Sequence, residues 1–314
     1  MFLNYFQIVN YKNLNSIKFS FVEGVNTIIG ENDSGKSNAM TALRILLDDT
    51  YYYNTKRLKE SDFSIKAALG VSLDELGIGL VNVGSVSFEY IASLFSDKRI
   101  QRPCAIVTDE DKQIVQKGST FYKSGAEKRG RSRKEKLRKL YRKNCWVKSF
   151  YAPHTLEVDF ALINNRANKD YICNVIDLNY VDLDTIEKHK KNLETGNEAS
   201  CAESILTLAR DMGKGWYATA LSHYIDEKVE IPQYILEAIA FASREVFSID
   251  IGFKMIEYAI GLFNHNKNKR LKENIEKAVT YQKKADCIKQ FMEAYKENSV
   301  TLFLEESDLY WREL

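Results

Sequence analysis

Short apolar runs separated by polar turns mark the start of the chain. Apolar clusters at residues 2–9 and 17–21 predict two strands, joined by a turn at residues 11–15. A third apolar run, at residues 25–29, leads into a loop with two glycines, and apolar residues with helical spacing follow at residues 39–47. The pattern therefore predicts a strand, a loop and a helix in direct succession.

A second unit of the same kind is predicted from about residue 67. Residues 78–83 and 104–108 have the apolar content of strands, and residues 85–94 have helical spacing. A strand, a helix and a strand of these lengths form a βαβ unit with a parallel sheet, which the run at residues 146–151 extends. The chain is therefore expected to belong to the α/β class.

The last part of the chain is patterned as helices. Helical spacing dominates from residue 185 onward, and Pro232 is well placed to start a helix over residues 234–241. A long charged helix is predicted from about residue 266 to residue 298. A helical carboxyl-terminal region should thus follow the sheet.

Composition limits the classes of protein to which the chain can belong. Its 314 residues are 45% hydrophobic and 12% aromatic, as in a folded protein with two domains or one domain carrying a large insertion. The net charge is +2, so any contact with nucleic acid must come from a local patch. The five cysteines form no C-x-x-C pair, and the sequence has no apolar signal segment and no apolar run long enough for a membrane span. A soluble, cytoplasmic protein without a membrane span is expected.

The loop at residues 30–37 has the pattern G-x-x-x-x-G-K-S between a predicted strand and a predicted helix, the context that a phosphate-binding loop requires. Gly30 and Gly35 allow backbone N–H groups to point at an anion. Lys36 would reach the outer phosphates of ATP, and the Ser37 hydroxyl would bind Mg²⁺ or Mn²⁺. The residues expected at the nucleotide are Gly30, Asn32, Asp33, Ser34, Gly35, Lys36, Ser37 and Asn38. The alternative is a strand-to-helix connection with no ligand.

Residues 128–143 form a basic segment in which ten of sixteen residues are Lys or Arg. One interpretation is a solvated helix or mobile loop with no partner. The other is contact with the phosphate backbone of DNA, which would weaken steeply with salt.

Three carboxylates, Asp109, Glu110 and Asp111, follow the predicted strand at residues 104–108, where open α/β sheets bind their ligands. In one interpretation Asp109 binds the Mg²⁺ of the nucleotide and Glu110 polarises water, as in a Walker B element. In another, Asp109 and Asp111 hold their own divalent metal for phosphodiester cleavage. The third is a solvent-facing acidic turn.

Several of these segments resemble one family of proteins. Residues 6–47 resemble the first half of ATPases of the structural-maintenance-of-chromosomes and ABC class. Within that class, the motif at 30–37 and residues 58–63 resemble the overcoming-lysogenization-defect (OLD) family of ATP-dependent nucleases. The Gabija nuclease is related to that family. Residues 76–88 and 106–111 are similar to the Toprim nuclease domain of that family. Residues around Glu157 and Lys214 also resemble its later motifs.

The resemblance implies a role for each acidic residue and for one lysine. Asp109 and Asp111 match the paired Toprim aspartates that hold a divalent metal, and Glu157 matches a further acidic ligand. Lys214 matches the lysine that steadies charge on the cleaved phosphate. Taken alone, Glu157 and Lys214 could each be an ordinary surface residue. The implied activity is metal-dependent DNA cleavage regulated by ATP, in defence against phage, by a dimer or higher oligomer that could have a partner protein.

Three domains follow from this resemblance: a partial P-loop ATPase at 1–64, a Toprim-like domain at 65–230 and a helical region at 231–314. The chain lacks a recognisable signature helix, Walker B strand and switch histidine after the loop, and it lacks the first acidic strand of a Toprim domain. A late strand at 300–304, ending in two glutamates, is a candidate replacement for that strand. The alternatives are therefore an impaired nucleotide- and DNA-binding regulator of a full-length nuclease, or a single P-loop ATPase.

Overall fold

A computed structural model describes residues 5–11, 14–20, 39, 61–81, 88–114, 124–167, 170–194, 197–222, 224–263 and 269–311. The chain divides into two compact units, Met1–Phe63 and Ser64–Leu314.

The first unit contains an antiparallel hairpin. Strands β1 (Tyr5–Tyr11) and β2 (Leu14–Ser20) pair in a register that sets Tyr5 opposite Ser20 and Tyr11 opposite Leu14. The two predicted strands are therefore confirmed. The predicted strand at 25–29 and the whole glycine-rich loop, including Lys36 and Ser37, lie outside the described residues.

The second unit is mainly helical around a small sheet. Within the described residues its strands are β3 (Cys104–Asp109) and β4 (Val147–Ala152). Its helices are α1 (Ser61–Leu69, which starts in the first unit), α2 (Glu89–Ala92), α3 (Gly125–Tyr141), α4 (Leu156–Ala167), α5 (Asp170–Asn179), α6 (Leu183–Glu194), α7 (Glu198–Met212), α8 (Lys214–Ser222), α9 (Gln233–Ser243), α10 (Ile249–Leu262), α11 (Lys269–Glu276), α12 (Tyr281–Ala294) and α13 (Ser299–Trp311).

The strands β3 and β4 are parallel, and helix α3 connects them as a βαβ unit. On one face of the pair, Ile106 and Val147 pack with Leu137 of α3. On the other face, Phe150 packs with Phe241 of α9. The predicted parallel pair is confirmed, and helices cover it on both sides.

The main core lies among the helices that follow the sheet. Fully buried side chains come from helices distributed along the whole second unit, among them Leu69, Ile205, Leu221, Phe291 and Phe303. Their burial removes apolar surface from water and is the main force that holds these helices together. The helical character predicted after residue 185 is confirmed, as is the helix that Pro232 precedes.

Two strand predictions are wrong in the residues that the structure describes. Residues 78–81 have no regular structure, and within the described part of the predicted helix, residues 88–94, helix α2 covers Glu89–Ala92. Residues 300–304 lie in α13, because the buried residues Val300, Phe303 and Leu304 have helical spacing and together face the core. The late strand therefore cannot supply the missing acidic strand.

The predicted long helix at 266–298 is also wrong, because two helices, α11 and α12, occupy most of that range. The chain leaves the helical path between them, and the Thr280 hydroxyl accepts a hydrogen bond from the Lys283 N–H at 3.4 Å to start α12.

Candidate functional site

The acidic turn Asp109–Asp111 continues from β3 at the carboxyl end of the parallel pair. The Glu110 N–H donates to the Ala152 carbonyl at 2.8 Å, which carries the strand pairing one residue further. Asp111 follows with φ of +52°, the left-handed region that Asp tolerates better than most residues. The turn is thus held by the neighbouring strand and ends in a sharp change of direction.

Helix α3 packs directly on the backbone of this turn. A Cβ on Gly130 would lie 2.4 Å from the Glu110 carbonyl oxygen, so only glycine allows this approach. One turn later, Arg133 donates to the Asp109 carbonyl and lies 3.7 Å from an Asp111 carboxylate oxygen. The basic segment therefore forms a helix whose inner face fixes the acidic turn.

Glu157 and Lys214 are brought together by the helices that follow β4. Glu157 lies in the first turn of α4, and Lys214 is the first residue of α8. Gly213, with φ of +78°, lets α8 start directly after α7, and α7 packs against both α4 and α8. The Lys214 ammonium consequently lies 2.9 Å from a Glu157 carboxylate oxygen.

Asp109 interacts electrostatically with the residues of both ion pairs, Arg133 with Asp111 and Lys214 with Glu157. Burial raises the pKa of the Asp109 carboxyl, and the nearby carboxylates of Asp111 and Glu157 raise it further. The positive charges of Lys214 and Arg133 lower it in part, and the resulting pKa is about 6. A carboxyl that is partly desolvated and surrounded by other titrating groups is typical of functional sites.

Glu110 has a different environment from its two neighbours. Its carboxylate pairs with Lys134 of α3 and lies 3.2 Å from the Lys112 ammonium. Burial raises the pKa of Glu110, but hydrogen bonds from these two lysines outweigh burial and lower it below its usual value. Glu110 is therefore a paired carboxylate that helps to anchor α3.

The structure thus groups the four residues that the Toprim resemblance singled out, namely Asp109, Asp111, Glu157 and Lys214. Carboxylate oxygens are suitable ligands for Mg²⁺ or Mn²⁺. Across the described part of the chain, however, no three His, Cys, Asp or Glu side chains converge closely enough to hold a metal ion. The carboxylates of Asp111 and Glu157 face cationic side chains instead. Their metal-binding role stays a prediction.

The residues of α3 that hold the turn were not predicted from the sequence. Gly130, Arg133, Lys134 and Leu137 share one helix face at the spacing i, i+3, i+4, i+7. A glycine and a leucine within a basic run are the signal that this face packs inward. The high density of charge in the segment hid that signal.

A cleft of about 680 Å³ runs beside β4 near this site. Cationic residues from two elements line it, Lys134 and Arg138 of α3 and Lys148 of β4, together with the ring of Tyr151. Carboxylates, including Asp159 and Glu237, also line the cleft. Its lining is therefore of mixed charge and partly aromatic.

Comparison with known proteins identifies the family. The family described as AAA ATPase domain matches residues 1–308, nearly the whole chain. The chain belongs to the AAA ATPase domain family. An ATPase domain of this family implies binding of ATP with a divalent metal.

Individual proteins of known name are similar to the chain over a short segment. The DNA replication and repair proteins RecF of Bacillus thuringiensis (strain Al Hakam) and Bacillus cereus (strain B4264) are each 46% identical to the chain over 46 residues. This segment is 15% of the chain and 12% of each relative. No solved structure matches this AAA ATPase family member significantly. None of the helices in the described ranges combines the length and apolar character needed to cross a membrane.

Proposed function

We propose that the protein is an ATP-binding, metal-dependent DNA endonuclease or nickase similar to the OLD family, with its hydrolytic site in a Toprim-like domain at 65–230. The observation that carries the proposal is the grouping of Asp109, Asp111, Glu157 and Lys214. The resemblance predicts one site from motifs that are far apart in the sequence. The four residues lie at the end of β3 and at the starts of α4 and α8.

Each residue has a role in this proposal that its chemistry allows. Asp109, Asp111 and Glu157 would hold a divalent cation through oxygen, and Lys214 would offset the charge that develops on the cleaved phosphate. DNA would approach along the exposed basic face of α3, and the RecF relatives, which are DNA replication and repair proteins, are consistent with a DNA partner. A dimer of such chains would present two sites to a duplex.

Cleavage of supercoiled plasmid by purified protein with Mn²⁺ or Mg²⁺ tests the proposal. Asp109→Asn and Asp111→Asn should each reduce nicking to background, because each removes a ligand charge. Asp250→Asn, which changes an exposed carboxylate paired with Lys284, should cut like the unchanged protein. Equal cleavage by Asp109→Asn and the unchanged protein would show that the site is assigned wrongly.

ATP binding is assigned to the loop at residues 30–37, where Lys36 would contact the outer phosphates. Lys36→Ala should weaken ATP binding by at least about tenfold, since a charge-assisted contact to phosphate is lost. Filter binding or calorimetry with ATP measures the change. Metal-dependent nicking should remain detectable without ATP, and an absolute need for ATP turnover would contradict a regulatory role.

A single P-loop ATPase is the second candidate, favoured by the family match that runs through both units to residue 308. In that case Asp109 and Glu110 are the Walker B pair. Glu110→Gln should then trap bound ATP and abolish its hydrolysis, whereas Asp111→Asn should have little effect on ATP. Under the nuclease proposal, Asp111→Asn should reduce plasmid nicking more than Glu110→Gln does.

A non-catalytic regulator of a full-length nuclease is the remaining alternative. It predicts DNA binding that weakens with salt and no cleavage by purified protein under any metal condition. The plasmid assay therefore separates it from the first proposal.

A further inference from the structure

Strand β4 pairs with β3 along one edge, and no strand in the described ranges pairs with its other edge, the open edge. The bonds to β3 start at Trp146, whose carbonyl accepts from the Cys104 N–H at 2.7 Å, and end at Ala152. In a parallel pair alternate residues of a strand bond to the same neighbour, so the even-numbered residues of β4 face β3. Ser149 and Tyr151 therefore direct their backbone N–H and C=O groups to the open edge.

The cleft of about 680 Å³ runs along this open edge. It is lined by four consecutive residues of β4, Lys148–Tyr151, and by residues of α3 and α9. Because α3 and α9 cover opposite faces of the sheet, a cleft that touches both helices and four successive strand residues lies along the edge of β4. Four residues of strand span about 13 Å. The cleft thus presents a row of backbone donors and acceptors to an extended segment.

Helix α3 contributes positive charge to the lining of the cleft. Lys134 is already paired with Glu110, and its ammonium lies 4.8 Å from the centre of the Tyr151 ring. Arg138, one turn further along α3, is exposed, lies over the same ring at 6.0 Å and forms no ion pair within the described residues. Side chains of an added strand that face α3 would therefore meet an arginine that can bind a carboxylate.

A second copy of the chain suits the open edge less well than an acidic segment does. Two β4 edges could pair antiparallel about a two-fold axis perpendicular to the sheet, which keeps equivalent faces on the same side. The two α3 helices, each with an exposed basic face, would then lie side by side and repel each other. An acidic partner is attracted by the same charges.

We propose that the open edge of β4 binds an extended peptide segment of a partner protein, which adds to the sheet as a strand and carries acidic side chains at the alternate positions that face α3. Strand addition takes its affinity from main-chain hydrogen bonds and its selectivity from alternate side chains. The proposal goes beyond DNA cleavage and does not depend on it, because the backbone of β4 and Arg138 have no role in the proposed hydrolysis.

Fluorescence anisotropy with the full-length protein and a labelled peptide of alternating Glu and Val tests the proposal. Ser149→Pro should weaken binding of this peptide at least about tenfold, because proline removes an N–H that faces the cleft. The same N–H has no partner in β3, so proline should be tolerated there and the thermal midpoint should change little.

Arg138→Glu tests the charge without altering the backbone. It should weaken binding of the acidic peptide about threefold to tenfold, and it should strengthen binding of the same peptide with Lys in place of Glu. Lys139→Glu makes the same change of charge next to Arg138 but outside the lining of the cleft. Its affinity for the acidic peptide should stay within about twofold of that of the unchanged protein.

Several outcomes would overturn the inference. One is no binding of the acidic peptide at about 1 mM, and another is equal binding by Ser149→Pro at an unaltered thermal midpoint. If Ser149→Pro is unstable, Arg138→Glu decides, and an unchanged preference between the acidic and the basic peptide rejects the proposal. A dimer in sedimentation analysis that Ser149→Pro converts to a monomer would make a second copy the occupant of the edge.

Discussion

Gly130 determines how closely helix α3 approaches the acidic turn. A side chain there would enter the Glu110 backbone, which cannot withdraw because its N–H is bonded to β4. We expect Gly130→Ala to lower the free energy of unfolding by about 1 to 3 kcal/mol, the usual cost of overpacking. Urea unfolding monitored by circular dichroism measures the change.

Gly261 provides the control for this prediction. It lies in α10, where an added Cβ would meet no atom within 4 Å. Gly261→Ala should therefore leave stability unchanged or raise it by about 0.5 to 1 kcal/mol, because alanine favours the helix. Equal destabilisation by both substitutions would mean that the contact with the turn is not the cause.

Asp109 should make stability depend on pH. Its pKa rises on folding from its ordinary value of 3.8 to about 6, so the folded state favours the protonated form. The stabilisation linked to Asp109 is complete below its unfolded pKa and is lost as the pH rises through its folded pKa. Asp109→Asn should therefore raise the free energy of unfolding at pH 8 by about 1 kcal/mol, a value reduced to allow for solvent screening.

Urea titrations at pH 4 and pH 8, in buffer with EDTA, measure this effect. The difference in free energy of unfolding between Asp109→Asn and the unchanged protein should be small at pH 4 and should grow between about pH 4 and pH 7. A constant difference at both pH values would mean that the amide acts through packing and not through charge.

At the scale of the element, α3 has an inner face that holds the turn and an exposed basic end. Lys139, Arg142 and Lys143 are exposed at that end. Their combined change to Gln should weaken binding of duplex DNA and reduce the dependence of the logarithm of affinity on the logarithm of salt by about 0.9 for each lost phosphate contact. Fluorescence anisotropy over a series of KCl concentrations measures both quantities.

A matched triple variant tests whether position or charge alone matters. Three other exposed lysines lie after α11 and in α12, namely Lys277, Lys283 and Lys289. Their change to Gln alters the net charge by the same amount as the triple change in and just after α3. DNA binding should remain close to that of the unchanged protein. An equal loss in both variants would indicate attraction by net charge and would exclude α3 as the contact.

The elements that the sequence predicted well are those with a complete local pattern. Strands β3 and β4 are short runs of mostly apolar residues, and α9 has a proline at its start. Residues 300–304 were predicted wrongly because a short, mostly apolar run fits a strand or a buried helix and does not show which of its residues face the core. Their burial at positions 300, 303 and 304 decides for helix, and that burial depends on the rest of the fold.

The candidate site could be predicted only as far as its residues occur in motifs. Asp109 and Asp111 follow a strand, so sequence places them at a sheet edge. The contact of Lys214 with Glu157 depends on a glycine with positive φ and on the packing of α7, which no local pattern contains. The contact of Arg133 was missed because neighbouring cations in the segment look alike in sequence.

At the scale of the molecule, the second unit has its own hydrophobic core and should fold alone. Helix α1 contributes Ile65 and Leu69 to that core, so a fragment must begin before Ser61 to keep the helix whole. We expect such a fragment, ending at residue 314, to be folded and to show a defined unfolding midpoint in urea. Circular dichroism in urea checks this, and a gradual transition or binding of a hydrophobic dye would contradict it.

The meeting of Glu157 with Lys214 has a consequence for heat sensitivity. The two residues start separate helices, and α7 holds those helices together through buried residues such as Ile205 and Leu208. A partial loosening of this helical layer would separate the ion pair while leaving both residues and the sheet intact. Substitutions of buried residues in the interior of α7, which themselves carry no charge, are thus the natural source of conditional alleles that work when cool and fail when warm.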